Sequence, residues 1–381
     1  MKDWQKKIEK IRGEKIEEID FSLSNFEEIS SVADICVSPK VSVLMLTYNH
    51  EKYISKAISS IVNQECDFEY EILIGEDFST DETYEICKRY QKLHPDKVRI
   101  IHSLMNCGSS ANSFRLKFLA RGEYFAVCEG DDFWNDRKKL SLQVDIMEKN
   151  PSVYLCASNA NILYDTGVVV QEKNKILKNG IITKKVFSEI LENYGSVIRT
   201  ATALYRKIDC ELLFEKYDVL KYKWNMGDYL WWLLLSNEGD IYFLEDNLAT
   251  YRYGQQGITH SSKKYDIDID ASIVLLYFRT IFNNRSLLLS PQMLGIFIRK
   301  LSKIARFKTK RVRSVFLFVC QNFYFLFFWH PANLLALILA FVGVGETNQI
   351  FSVIFKRKKI FFSIKQKINN LFNQYLFCDN R

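Results

Sequence analysis

Residues 124–134 read YFAVCEGDDFW, an apolar run followed directly by three carboxylates within four residues. The run predicts a buried strand, so the acidic cluster follows that strand's C-terminal end. Burying like charges close together without partners costs free energy. A hard divalent cation, Mg²⁺ or Mn²⁺, satisfies them most simply, because such ions prefer carboxylate oxygens and share them with substrate phosphates. The alternative is a solvated acidic turn ahead of the next helix; the position after a strand favours a metal and phosphate site.

Upstream of this cluster, apolar strand-like segments alternate with amphipathic helical ones. Strands are predicted at Val41–Thr47, Glu71–Gly75 and Val98–His102, and helices at Glu51–Gln64, Asp81–Leu93 and Ala111–Ala120. This alternation predicts an α/β fold with a Rossmann-like, mostly parallel sheet flanked by helices. Ligands bind beyond the C-terminal ends of such strands. We therefore expect three polar turns to converge on one ligand: Thr47–Asn49, Glu76–Asp77 and Glu129–Asp132.

The second half of the chain has a less regular pattern. A helix over Lys138–Asn150 is followed by predicted strands at Val153–Ala157, Val168–Val170 and Ser196–Tyr205. An apolar helix then begins near Met226, with Asp228 in its first turn. A returning pair of strands is predicted at Ile241–Leu244 and Leu248–Tyr253.

Several classes of protein are disfavoured by missing motifs. No G-x-G-x-x-G follows the first strand and no G-x-x-x-x-G-K-[ST] occurs, which argues against dinucleotide oxidoreductases and P-loop NTPases. The nine cysteines are odd in number and form no C-x-x-C pair, as is typical of a reducing cytoplasm. The N-terminal residues have no apolar segment, so no secretory signal is expected.

Between Val41 and about His260 the chain resembles the family-2 glycosyltransferases of the GT-A fold. Four features carry the resemblance, in the family's order. They are the Thr-Tyr-Asn turn at 47–49, EDFSTD at 76–81 in place of D-D-x-S-x-D, EGDD at 129–132 in the D-x-D position, and Gly227-Asp228 followed by Tyr251-Arg252. Each feature alone is a weak signal, and together they are specific.

The resemblance implies a role for each of these residues. A nucleotide, usually uridine, is held by Thr47, Tyr48, Asn49, Glu76 and Asp77, of which Glu76 departs from the commoner Asp. Asp131 and Asp132 hold Mn²⁺ or Mg²⁺, Glu129 faces the donor sugar or ribose, Arg252 neutralises diphosphate and Asp228 is the catalytic base. Phe133 and Trp134 border the donor sugar or simply pack in the core.

Plainer explanations remain open for two of these assignments. Glu76 and Asp77 can cap a helix, and Asp228 can be an acidic residue favoured by the helix dipole.

The family often has a His one place after Arg252, where this chain has Tyr253, so a metal contact by His is not expected there. Direct displacement with one base implies inversion at the anomeric carbon.

Charge and hydropathy divide the chain into four regions. We expect a helical N-terminal extension at 1–38, a GT-A domain at 39–262, a helical segment at 263–305 and a basic, apolar tail at 306–381. The tail holds twelve of the Lys and Arg residues and two acidic ones, and residues 314–345 carry no charge. An anionic membrane surface, rather than nucleic acid, is the expected partner. A helical pair packed on the catalytic domain is the alternative.

These observations predict a metal-dependent, inverting glycosyltransferase on the cytoplasmic face of the membrane, attached peripherally or monotopically. It would move a sugar from a nucleotide-sugar donor, a UDP-sugar first, to a glycan or lipid-linked acceptor. Two other classes stay open. A sugar nucleotidyltransferase shares the sheet and the metal, although no Gly-rich Arg/Lys loop follows the first strand. A non-catalytic glycan-binding or scaffold protein would not need Asp131 and Asp228.

Overall fold

The computed structural model describes residues 26–30, 38–210, 213 and 227–254, all within one compact unit. The strands are β1 (Phe26–Ile29), β2 (Val41–Thr47), β3 (Tyr70–Glu76), β4 (Val98–Ser103), β5 (Tyr124–Val127), β6 (Phe133–Trp134), β7 (Val153–Tyr164), β8 (Val169–Gln171), β9 (Gly180–Ile182), β10 (Leu204–Arg206) and β11 (Asp240–Tyr253). The helices are α1 (Ile54–Val62), α2 (Thr83–Leu93), α3 (Gly108–Leu119), α4 (Lys139–Lys149), α5 (Lys184–Tyr194) and α6 (Gly227–Glu238).

The described strands form one mixed sheet in the order β1-β4-β3-β2-β5-β10-β7-β11-β6, with β8 on β7 and β9 on β11. The longer pairings, β2 with β3, β3 with β4, β2 with β5 and β7 with β11, are parallel. Antiparallel pairing places β10 between β5 and β7 and thereby joins the two parallel groups. The predicted α/β class is confirmed, and the sheet is mixed.

Helix α1 shows why these segments fold as they do. Ile54, Ala57, Ile58 and Ile61 recur at helical spacing and are all fully buried. They join the apolar residues of β2, β3 and β5 in the main core. Because the central strands β2, β3 and β5 are buried along nearly their whole length, their apolar runs are continuous rather than alternating.

Several predicted elements are corrected by long-range pairing. Phe26–Ile29, within the predicted helical extension, is a strand that pairs with β4. The strand predicted over 196–205 is a short 3₁₀ turn, Thr200–Thr202, followed by β10. The predicted returning pair is one strand, β11, made irregular by bulges while it follows β7. Helix α5 was not predicted.

The remaining predicted regions lie mostly beyond the described residues. These are the rest of the extension at 1–38, the helical segment at 263–305 and the tail at 306–381. Among the helices that the structure does describe, none has the length and apolar character needed to cross a bilayer.

Candidate active site

The acidic loop after β5 rests directly on the turn after β2. The Gly130 N–H donates to the carbonyl of Leu46 at 2.9 Å. A Cβ on Gly130 would lie 2.6 Å from Thr47 Oγ1 and 2.8 Å from His50 Nδ1, so only glycine fits without displacing the turn. Thr47 Oγ1 and His50 Nδ1 are themselves 3.2 Å apart. Two of the three predicted turns therefore meet at the sheet edge.

The third turn is tied to the first by Asn49. Its N–H donates to Ser79 Oγ at 3.0 Å, and its Oδ1 accepts from the Thr80 N–H at 2.8 Å. Asn49 and Phe78 both have positive φ, at 54° and 61°, which is uncommon for Asn and an outlier for Phe. The side chains of Tyr48 and Phe78 are 43% and 46% exposed beside this junction. All three turns therefore meet at this edge, and their convergence on one ligand stays a prediction.

The carboxylates of Glu76 and Asp77 are both buried and bonded within the protein. Glu76 accepts from the Ser79 N–H at 2.7 Å and lies 2.6 Å from His102 Nδ1. Asp77 accepts from the N–H groups of Cys107 and Gly108, each at 2.9 Å, and so caps the start of α3. The capping alternative thus describes the contacts of Asp77, at a different helix from the one expected. Donor binding by these two residues stays a prediction.

Arg252, at the end of β11, is bonded to the acidic loop. Its backbone N–H donates to Asp132 Oδ1 at 2.8 Å, and its Nε donates to the carbonyl of Asp131 at 3.0 Å. The guanidinium also lies 4.2 Å from the ring centroid of Tyr53. Burial, together with the charges of Asp131 and Glu129, raises the pKa of Asp132 well above its usual range.

Glu129 connects this loop to the predicted base. Burial, and then repulsion from Asp131 and Asp228, raises the pKa of Glu129 to about 7. The Thr200 side chain bonds the carboxylate, yet Oε2 is buried without a hydrogen-bond partner among the described residues. Asp228 lies in the first turn of α6 and accepts from Ser196 Oγ at 3.3 Å. Burial raises its pKa, while hydrogen bonds and the charge of Arg199 oppose that rise.

A buried glutamate at the other end of the sheet provides a contrast. The Glu71 carboxylate accepts from Ser42 Oγ at 2.6 Å, Arg99 Nη1 at 2.9 Å and Arg121 Nη2 at 2.7 Å. Although burial works in the other direction, these partners lower the pKa of Glu71. The fold therefore pairs a buried carboxylate where it serves stability. At Glu129 it leaves one carboxylate oxygen without a partner among the described residues, and burial raises the pKa of both Glu129 and Asp132, a perturbation that is typical of a ligand site.

Phe133 and Trp134, which follow the acidic residues, have different environments. Trp134 is buried, and its Nε1–H donates to the carbonyl of Ala201 at 2.9 Å, so it belongs to the core. Phe133 is partly exposed, and Lys56 Nζ lies 3.5 Å from its ring centroid. Of the two rings, Phe133 alone has exposed surface, and its contact with a ligand stays a prediction.

Three residues near the site were not selected from the sequence: His50, Arg199 and Thr200. Burial lowers the pKa of His50, against the opposing charges of Asp131 and Asp81. Arg199 and Thr200 fall in a segment that the sequence predicts to be a strand. Its apolar and polar residues alternate as in a strand, so the 3₁₀ turn at Thr200–Thr202 was not recognised. His50 directly follows the Thr-Tyr-Asn turn, which was a usable signal.

The carboxylates of the acidic loop are candidate ligands for a divalent cation. Among the described residues, no three His, Cys, Asp or Glu side chains are grouped closely enough to hold a metal ion by themselves. Mg²⁺, however, commonly takes one or two carboxylates and completes its shell with substrate phosphates and water. The buried, unpartnered Oε2 of Glu129 and the crowded carboxylates of Asp131 and Asp132 suit such an ion.

Known proteins are similar to this chain over the region that holds most of the predicted site residues. A sequence profile described as Glycosyl transferase family 2 matches residues 42–213. An uncharacterized glycosyltransferase of Methanocaldococcus jannaschii is 30% identical over 219 residues, covering 56% of this chain and 71% of that protein. The chain belongs to glycosyltransferase family 2.

Other similarities are more partial. An uncharacterized protein of Mycobacterium tuberculosis is 31% identical over 224 residues, or 58% of this chain, and the match spans only 61% of the mycobacterial protein. The crystal structure of Staphylococcus aureus TarS 1–349 with UDP-GlcNAc superposes with a TM-score of 0.49 and 18% identity, covering 79% of this chain and 89% of that one.

Proposed function

We propose that this family-2 chain is an inverting glycosyltransferase that transfers a sugar from a nucleotide-sugar donor, a UDP-sugar first, to a glycan or lipid-linked acceptor. One observation carries the proposal. The carboxylate oxygen Oε2 of Glu129 is buried without a hydrogen-bond partner among the described residues, in the same loop as Asp131 and Asp132, and the charge of Asp228 acts on it. This arrangement suits a bound cation and diphosphate facing a carboxylate base.

The donor would lie along the three converging turns. Tyr48 and Phe78 offer exposed rings beside the Asn49 junction, where a base can stack. Arg252 is held by Asp131 and Asp132 through its Nε and its backbone N–H, so its terminal nitrogens are oriented by the same loop. A guanidinium fixed in this way suits the diphosphate, because it forms charge-assisted hydrogen bonds.

Mn²⁺ or Mg²⁺, when bound at Asp131 and Asp132, would offset the negative charge of the diphosphate leaving group. The chain's own residues do the rest. As the acceptor hydroxyl oxygen bonds to the anomeric carbon, its proton passes to the carboxylate of Asp228. The bond from that carbon to the diphosphate oxygen breaks, and its electron pair leaves with the diphosphate beside Arg252. The raised pKa of Asp228 makes it a stronger base, and attack from the opposite face inverts the anomeric centre.

The first test measures transfer from a panel of nucleotide sugars with Mn²⁺, in wild-type protein and Asp228→Asn. The substitution keeps the shape of the side chain and removes its basicity. Donor affinity should survive, while turnover falls roughly 10²–10⁴-fold, as is typical when a general base is lost.

Asp246→Asn is the matched control, because Asp246 is exposed on β11. It should retain wild-type turnover. If Asp228→Asn instead loses donor affinity and keeps turnover at saturation, Asp228 is a binding residue and the mechanism is wrong. If wild-type protein transfers no sugar from any donor in the panel to glycan or lipid-linked acceptors, the proposed function fails.

The acceptor and the setting are also part of the proposal. The basic residues of 306–381 would hold the protein on an anionic membrane surface on the cytoplasmic side, where lipid-linked acceptors are found. The charge distribution of the sequence supports this, because twelve Lys and Arg residues against two acidic ones give this region an excess of ten positive charges, whereas the whole chain has a net charge of +7.

A further inference from the structure

Arg199 and Glu172 form an ion pair that is not among the predicted site residues. Arg199 bonds Glu172 in a two-pronged geometry, with Nε to Oε2 at 2.9 Å and Nη2 to Oε1 at 2.8 Å. The two side chains remain 41% and 38% exposed. An exposed ion pair adds little stability in general, and a bidentate pair of arginine and carboxylate is the favourable case.

The pair lies close to the predicted site residues. The guanidinium of Arg199 is 4.9 Å from the ring centroid of Tyr251, the residue before Arg252. Its positive charge opposes the burial that raises the pKa of Asp228, and the pKa of Arg199 is itself raised by Glu172 and, to a smaller extent, by Asp132. The next residue along the chain, Thr200, bonds Glu129.

Several contacts fix both partners in place. The backbone carbonyl of Arg199 accepts from the Thr202 N–H at 3.0 Å and from Thr202 Oγ1 at 2.7 Å. The Glu172 N–H donates to the carbonyl of Ala160 on β7 at 3.0 Å. Asn174 joins the two segments, because its Nδ2 donates to the carbonyl of Val197 at 2.8 Å. The pair is therefore preorganised, which lowers the entropy cost of binding a ligand.

The charge of the pair decides what kind of ligand it suits. The Arg252 side chain bonds a backbone carbonyl through Nε and forms no two-pronged ion pair among the described residues, so its terminal nitrogens can face a phosphate. The charge of Arg199, by contrast, is already matched by Glu172. Such a pair presents N–H donors and carboxylate acceptors side by side with no net charge. A neutral diol, in which each hydroxyl both donates and accepts, complements that surface better than an anion does.

We propose that Arg199 and Glu172 form a subsite for adjacent hydroxyl groups of a neutral sugar ring, which can be the transferred sugar of the donor or the terminal sugar of the acceptor. The proposal rests on the proposed function, because it needs a sugar to reach the space between the acidic loop and Asp228.

The test uses the full chain with two substitutions, Glu172→Gln and Arg199→Lys. Each keeps much of the side-chain volume and breaks the two-pronged pair. Calorimetry with Mn²⁺ measures the affinity for the nucleoside diphosphate and for the nucleotide sugar, and kinetics give the KM of the acceptor. If the subsite holds the donor sugar, nucleotide-sugar affinity falls about tenfold, as for one lost charge-assisted hydrogen bond, while nucleoside diphosphate affinity is unchanged. If it holds the acceptor, only the acceptor KM rises by that factor.

Asp145→Asn is the matched control, since it breaks another exposed ion pair, Lys149–Asp145 at 2.8 Å, which is separate from the site residues. Thermal melting of every variant shows whether it is folded. If Glu172→Gln does not fold, Arg199→Lys alone is used for the comparison. The proposal is overturned if the affinity for the nucleoside diphosphate falls as much as the affinity for the nucleotide sugar. It is also overturned if both affinities and the acceptor KM equal those of the control. If wild-type protein transfers sugar and both variants equal it, only this proposal falls; if wild-type protein neither binds nor transfers sugar, the proposed function falls with it.

Discussion

Individual carboxylates in this protein differ sharply in how they are compensated. Glu71 has two arginines and a serine hydroxyl, while Oε2 of Glu129 has no hydrogen-bond partner among the described residues. Since burial favours the neutral form of a carboxyl group, only Glu71 has the partners that hold it ionised. We predict that the unpartnered oxygen of Glu129 costs stability because the carboxylate serves ligand binding.

This contrast predicts how stability depends on pH. Glu129 has an ordinary pKa of 4.5 in the unfolded chain and about 7 in the fold. Between those values the folded protein binds more protons, so its free energy of unfolding falls as pH rises from about 4.5 to 7. Glu129→Gln removes that loss. We expect the metal-free variant to be more stable than wild type by about 1–3 kcal/mol above pH 7, with the difference vanishing near pH 4.

Urea unfolding at a series of pH values checks this expectation. Glu245→Gln, at an exposed position on β11, is the control and should track wild type. A stability difference that is the same at every pH would show that Glu129 acts through packing and not through its charge.

At the scale of elements, the site is built where loops bond each other's backbone. The acidic loop rests on β2 through Gly130, and the loop after β3 is joined to the turn after β2 through Asn49. The same loop sets the start of α3, because both oxygens of Asp77 accept backbone N–H groups there. A ligand that contacts one loop is therefore coupled to the others.

A substitution at Asp77 can distinguish a role in capping helix α3 from a role in donor binding. Asp77→Ala leaves the N–H groups of Cys107 and Gly108 without their acceptor in a buried place. We expect it to cost about 1–2 kcal/mol in the free energy of unfolding. Asp67→Ala, at an exposed position between α1 and β3, should be nearly neutral under the same urea titration. A variant as stable as this control that no longer binds UDP would assign Asp77 to the donor instead.

At the scale of the whole molecule, positive charge is concentrated in the part of the chain after residue 305. The rest has slightly more acidic than basic residues, so a long-range attraction to an anionic surface would come from that region. The cluster KRKK at 356–359 is part of this region and follows the uncharged stretch at 314–345 in the sequence.

This distribution predicts salt-sensitive membrane binding. Replacing Lys358 and Lys359 by Ala should weaken binding to anionic liposomes by about 2 kcal/mol, or roughly 30-fold, at low salt, since each basic residue near such a surface contributes about 1 kcal/mol. The difference should shrink in high salt, where charges are screened. Co-sedimentation measures both. The control replaces Lys184 and Lys185, which are exposed on α5, and should match wild type. Full-length protein that ignores anionic liposomes would disprove the membrane hypothesis.

The amino-acid sequence by itself determined the α/β alternation and the edge at which the polar turns meet. Both follow from local patterns, because a strand buried on both faces is a continuous apolar run and a parallel strand presents its last residues to the ligand edge. Val41–Thr47 and Tyr124–Val127 were readable for this reason.

Only the tertiary structure decided which short segments join the sheet and which charges meet. Strands such as β1 and β10 are too short to show a period, and they exist because a neighbouring strand supplies their hydrogen bonds. Arg199 meets Glu172 across 27 positions of sequence, and Glu129 senses Asp228 from almost a hundred residues away. Such contacts depend on how the elements pack in space, and no local spacing of residue types encodes that packing.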